Sequence, residues 1–543
     1  MNRKTLLPFA LVLFLAFGAA ACGGGEAPPA DTGTPSSDST PQEPSEPDTS
    51  EPDGPKVVTW SYHRGARSLD AHDQRGSPDY QLVMYSLFNG LVRMPDYFPD
   101  NGAPMPQPDL ATEWNVSDDG LVWTFKLREG VQFHKGYGTL TANDVKYSYE
   151  RLMDPDTELI RSGDVRNIEK VEVIDDLTVA IHLKNASAAF LMDMATLSGY
   201  LIVSEKAVEA MGNETFAESP IGTGPYQVES YLPRGEVIFK AFEDYWEGRP
   251  EVDEVRVIVQ PDETVAALAF LQDEVNWLAV RSDEAYDAVV DQPGVTVVRH
   301  PTASYGIEAL WLQTEKVTDR RIRHALAYAV DRDTLFEQFA AKLGTSKADT
   351  ILPPSVFGHR TDHLPKYDYD ADRARQLLED AGVTEGSLTL TTATIGTGGY
   401  PDTLTAVQNF WGQVGVNLDF EVVEHAAWQA KYQAGENEFL IVSAGRREPD
   451  QVLVHFESTS RMGAVNYMFY NNPQVDELIL QQRTELDNDR RLSILHEVQA
   501  LIMEDLPAIP LYHSAHVTAQ RDYIEGPDNV TTWYFKPAAM HFK

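Results

Sequence analysis

Val116-Ser117-Asp118-Asp119-Gly120-Leu121-Val122-Trp123-Thr124-Phe125-Lys126-Leu127-Arg128-Glu129-Gly130-Val131-Gln132-Phe133-His134 holds the most legible pattern in this chain. Leu121, Trp123, Phe125 and Leu127 recur at every second position, the period of a strand with one buried face. Asp118-Asp119-Gly120 precedes them and Glu129-Gly130 follows, each offering a glycine where a tight turn asks for positive φ. The stretch predicts a hairpin whose second strand packs its aromatic face inward.

The same reasoning extends in both directions. Val171-Glu172-Val173-Ile174 and Leu177 to Leu183, separated by Asp175-Asp176, predict a second hairpin. Val57-Val58-Thr59-Trp60-Ser61-Tyr62 is β-branched and aromatic and predicts the strand with which folded structure begins. Ile322, Ala325, Leu326, Ala329 and Val330 follow helical spacing, as do Ala374, Leu377, Leu378 and Ala381, with Gly382 as a stop. Thr141 stands as an N-cap with Asp144 three residues on, a variant of the capping box. Helices and strands intermix throughout, so the class is α/β.

Further motifs follow in a fixed order. They are Tyr85 to Arg93, Pro108 to Trp114, Thr141 to Val145, Gly222-Thr223-Gly224-Pro225-Tyr226 and Tyr245-Trp246-Glu247-Gly248-Arg249-Pro250, then Ala325 to Arg332, Asn472-Pro473-Gln474-Val475-Asp476 and Asp505 to Tyr512. With the hairpin, this series resembles the family 5 extracellular solute-binding proteins, the peptide- and nickel-binding components of ABC importers. The resemblance covers nearly everything after residue 56.

The resemblance implies a two-lobed, periplasmic-binding-protein-like type II fold with an additional subdomain on lobe one. It implies that the chain crosses a hinge twice, near Tyr305 to Leu312 and again near Pro510 to His513. Lobe one is then expected at 56–305 plus 513–543, with the subdomain at about 86–218, and lobe two at 313–510. It also implies that Ser443-Ala444-Gly445-Arg446-Arg447-Glu448-Pro449-Asp450 is the cleft-lining loop, where peptide binders carry an aspartate four residues before the proline to pair with the ligand's ammonium. Here that position is Gly445, and two arginines follow.

Two readings of this loop stay open. Either Arg446 or Arg447 faces the cleft and favours an anionic or hydroxyl-rich ligand through bidentate bonds, or both are solvated and Glu448 or Asp450 supplies the charge. Aromatic candidates for the lining are Tyr305 and Trp311 at the expected hinge, Tyr400 beside Gly396-Thr397-Gly398-Gly399, and Trp428 on an expected helix; core packing is the competing account of each.

Composition narrows the setting. Arg3 and Lys4 precede an apolar run from Leu6 to about Phe17, then small residues and Cys22, the only cysteine. This predicts a signal peptide at 1–21 and resembles a bacterial lipobox, with Cys22 acylated on a membrane surface. Residues 22–55 carry Pro, Gly, Ser, Thr and acids but no base, and predict a disordered tether reaching roughly 30 Å. A formal net charge of −39 excludes a nucleic-acid-binding surface. Salt adaptation and ordinary export both account for that charge.

No Gly-x-Ser-x-Gly elbow, Walker loop, His-Glu-x-x-His or second thiol occurs, so no enzyme, cofactor or metal is expected. His359 and His363 have ligand-like spacing, but the prolines around them predict a loop. The expected function is that of an exported substrate-binding lipoprotein at the periplasm or cell surface, monomeric, taking a small polar, peptide-like solute to an ABC permease. An oligosaccharide-binding importer component and a secreted glycan-acting hydrolase are the alternatives.

Overall fold

The computed structural model describes residues 54–62, 65–73, 81–94, 105–233, 235–300, 306–396, 399–445, 448–459, 465–514, 516–526 and 537–543. The expected leader at 1–21 and Cys22 lie outside the described residues, as does the tether at 22–55 apart from its last two positions.

The predicted strand Val57–Tyr62 sits at the centre of a seven-stranded sheet, parallel to Glu254–Val259 on one side and to Trp277–Val280 on the other. Outward from these come Val237–Ala241 and Tyr226–Tyr231 on one flank, and His516–Arg521 and Val295–His300 on the other. Burial on both faces explains the β-branched and aromatic composition of the central strand. One face packs on helices Glu263–Leu271 and Asp283–Val289 through Ala266, Phe270, Ala285 and Val289. On the other, Val58, Trp60 and Tyr62 join a core that runs on into residues 84–226.

The two predicted hairpins share one sheet. Ala111–Val116 pairs antiparallel with Val122–Leu127, which pairs with Thr178–Leu183, which pairs with Ile168–Asp175. Trp123, Phe125 and Leu127 are buried as their alternation requires, and Gly120 (φ +71°) and Gly130 (φ +80°) make the turns. Helix Ala142–Met153 covers this sheet, and at its start the Asp144 carboxylate accepts from both the N–H and the hydroxyl of Thr141, at 3.0 and 3.1 Å. On the same helix Arg151 makes a buried ion pair with Asp70 at 2.6 Å, with His72 and Asn213 completing its donors.

A four-stranded sheet organises the remainder. Gly306–Leu312, every residue buried, lies between Phe439–Gly445 and Ala508–Ser514, with Gly344–Lys347 beyond the latter. Beside it are the parallel pair Leu388–Thr394 and Val416–Val422 and the helices predicted from spacing, Arg320–Tyr328 and Ala371–Asp380, the second ending before Gly382 at φ +79°. These pack a separate core around Trp311 and Trp411. The segments expected to cross a hinge are therefore paired strands of this sheet, Gly306–Leu312 and Ala508–Ser514. The seven-stranded sheet leaves off at His300 and resumes at His516, and the four-stranded sheet includes Gly306–Leu312 and Ala508–Ser514; residues 301–305 and 515 lie outside the described residues.

Candidate functional site

The carboxyl end of Phe439–Gly445 meets the start of Gly306–Leu312, Gly445 pairing with Gly306 at the end of the sheet. Strand ends at a change of sheet are where α/β folds gather ligand-binding groups. Tyr400, opening helix Tyr400–Gln413 just after the loop that follows Thr394, ties this edge together: its Oη accepts from the backbone N–H of Ser443 at 3.2 Å.

Glu308 lies in the middle of the same edge. In the register of the sheet it stands between Ser443 and Tyr512, so the three share one face. It is 8% exposed, and its carboxyl is pushed up to about 7 by burial, with hydrogen bonds from Ser443 and Tyr400 opposing the rise. Its Oε2 has no hydrogen-bond partner among the described residues. The phenols of Tyr400 and Tyr512 are themselves held up, by burial first and then by the nearby carboxyl.

The loop that follows is differently equipped. Glu448 caps helix Pro449–Leu453, accepting from the N–H of Asp450 at 2.5 Å, and is bound by the Arg491 guanidinium. Burial raises its carboxyl and Arg491 opposes that rise. Asp450 accepts from Gln482 at 2.9 Å and from Arg483 at 2.8 Å, and Arg483 also reaches Glu457 at 3.0 Å. Both acids named as alternative sources of ligand charge are thus engaged by arginines of this chain. Gln451 extends the network by donating to Asp193 at 2.6 Å, next to a backbone bond from Ala188 N–H to Arg483 O at 2.9 Å. Burial pushes the Asp193 carboxyl up to about 8, helped by Glu448 and Asp450, while the bond from Gln451 opposes it.

Of the residues expected to line a cleft, Tyr400 alone among those described joins Glu308 and Ser443. Trp311 is 1% exposed, its Nε1 donates to Val442 O at 3.1 Å, and its ring packs on Phe456; it serves the core because it stands on a strand buried along its whole length. Trp428 is half-buried on helix His425–Gln433 against Tyr432, with ring centroids 4.7 Å apart. Tyr305, Arg446 and Arg447 lie outside the described residues. Sequence reasoning missed Glu308, Tyr512 and Asp193. A signal existed for two of them: each acid is alone in an apolar run, Gly306 to Leu312 and Phe190 to Ala195. His359 is in a loop, as its prolines predict, with Nδ1 2.7 Å from Leu352 O.

Comparison with known proteins adds an independent line. The family model for bacterial extracellular solute-binding proteins, family 5 middle, matches residues 105–464. Di/tripeptide-binding protein 2 of Pseudomonas aeruginosa (strain UCBPP-PA14) is 29% identical over 500 residues, covering 87% of this chain and 92% of that protein. Among solved structures, HbpA2 from Haemophilus parasuis superposes with a TM-score of 0.77 at 22% identity, over 90% of this chain and all of the other. The ABC transporter-associated periplasmic binding protein DppA from Helicobacter pylori, in complex with the peptide STSA, does so with a TM-score of 0.75 at 23% identity, over 90% and 98%. The fold is thus the two-lobed α/β fold of the periplasmic binding proteins.

Proposed function

We propose a function from one premise: the chain belongs to the family 5 bacterial extracellular solute-binding proteins. Such proteins bind solutes for transport and catalyse no reaction. This one captures a short peptide or peptide-like solute between two lobes and delivers it to an ABC permease. The lobes comprise 56–305 plus 513–543, with a subdomain at about 86–218, and 313–510. The observation that carries this reading is the polar edge formed by Glu308, Tyr400 and Ser443 near the start of strand Gly306–Leu312. The relative named for di- and tripeptides and the neighbour holding a peptide support the solute class.

In this reading the mature chain is a monomer, exported to the periplasm or cell surface, held by acylated Cys22 and swinging on the acidic tether. Arg446 and Arg447 sit one and two residues past Gly445 and take the solute's carboxylate. Closure is a population shift, driven by contacts that exist with both lobes only when they are shut. Isothermal titration with di- and tripeptides, against oligosaccharides of similar size, tests the solute class, and small-angle scattering with and without the tightest binder tests closure. Binding of sugars but not peptides would overturn the first, and an unchanged radius the second.

A further inference from the structure

We propose that Glu308 is the counter-ion for a cationic group on the bound solute, a primary ammonium such as a peptide's N-terminus. The inference deepens the peptide reading above and rests on it for the identity of the amine.

The geometry begins with an imbalance. Strand Gly306–Leu312 is buried along its whole length, and Glu308 is its only ionisable side chain. An acid in such a place is ordinarily matched by a cation, because removing a carboxylate from water without one is costly. The chain follows that rule elsewhere: Asp70 has Arg151, and Glu448 has Arg491. No cation stands against Glu308 among the described residues, and the hydroxyls of Ser443 and Tyr400 leave its Oε2 unsatisfied.

Register shows where the missing partner would come from. Side chains alternate along a strand, so the positions that share the Glu308 face toward the end of the sheet include 306 and, on the strand Phe439–Gly445, 445. Both are glycine and pair directly with each other. On these two strands the face between the carboxyl and the sheet edge therefore carries no side chain. Ser443, directly across from Glu308, is exposed, so the acid, itself buried, lies one residue in from the surface at this edge. A buried, half-satisfied carboxyl beside two paired glycines is suited to a small cation: hydroxyls orient one oxygen and the other is left for the guest.

The test is isothermal titration of the full chain with a dipeptide set, the N-acetylated counterparts and 1,5-diaminopentane, in the natural protein and in Glu308→Gln and Glu308→Asp, with thermal midpoints reporting folding. The natural protein is expected to prefer free-amine over acetylated peptides by about 100-fold. Glu308→Gln should erase that preference while remaining folded, and Glu308→Asp should restore part of it. Equal affinity for free and acetylated peptides, or a preference that survives in Glu308→Gln, overturns the inference and leaves the peptide reading standing. Diamine binding lost in Glu308→Gln, with no peptide bound, keeps the cation site and removes the peptide reading. Binding of neither class overturns both.

Discussion

Glu308 and Glu448 are the same residue type, 8% and 1% exposed, one on an inner strand of the four-stranded sheet and one capping the helix that follows its strand Phe439–Gly445, and they are treated in opposite ways. Glu448 caps a helix and is gripped by Arg491, so its charge is consumed inside the protein. Glu308 has hydroxyl neighbours, an unsatisfied oxygen and no cation among the described residues. Burial raises both carboxyls, yet only Glu448 has an arginine opposing the rise. The contrast separates two kinds of buried glutamate in this chain: Glu448, matched by its own arginine, holds structure, and Glu308, with an oxygen unsatisfied, is left open to a guest.

The largest effect should come from breaking the satisfied member. Arg491→Met strands Glu448 and removes a donor to Gln482, and is expected to destabilise the protein by about 3–5 kcal/mol in urea unfolding. Adding Glu448→Gln should recover a large part of that loss, since no charge is then left unpaired. A cost no greater than that of an ordinary surface substitution would erase the distinction between the two glutamates.

Next in size is the pH response of Glu308. Its folded carboxyl stands at about 7 against 4.5 for the free side chain, so the folded state holds a proton that the unfolded chain has released. The associated stability is fully present below about pH 4.5 and is lost as the pH rises through 7, a change on the order of 3 kcal/mol. Glu308→Gln should flatten this part of the profile when thermal midpoints are compared from pH 5 to pH 8. A mutant profile parallel to the natural one would show that the unfavourable charge lies elsewhere.

The smallest effect sharpens the comparison with a third acid. Asp193 is held up at about 8 and accepts from Gln451, so at neutral pH it behaves as a neutral acceptor. Asp193→Asn keeps an acceptor in place and should change stability at pH 7 by less than about 1 kcal/mol, whereas Gln451→Ala removes the donor and should cost about that much. A large loss for Asp193→Asn would mean that the carboxylate is ionised there and pairs like Glu448.

Much of the fold was legible because local rules were obeyed locally. Trp123, Phe125 and Leu127 point inward because a strand alternates, and Gly120 and Gly130 turn because they alone accept the φ required. Thr141 and Asp144 cap their helix within three residues of each other. The site was only partly legible. Tyr400, expected beside a glycine-rich loop, adjoins Ser443 and Glu308, whereas Trp311, expected at a hinge with core packing as the competing account, lies inside a core. Likewise, Glu448 and Asp450 look available in sequence and are engaged by Arg491 and Arg483, which lie more than thirty residues away.

The sequence by itself determined the hairpins, the capped helices, the α/β class and the motif order that marks the family, since each depends on neighbours a few residues apart. Only the tertiary structure decided which acids keep their charge for themselves. It also brought an acid onto the sheet face that Gly445 leaves bare, from a strand more than a hundred residues earlier in the chain. Whether a buried carboxyl finds a cation depends on which strands and helices pack side by side, and in this chain those partners lie too far apart in sequence for any local pattern to record them.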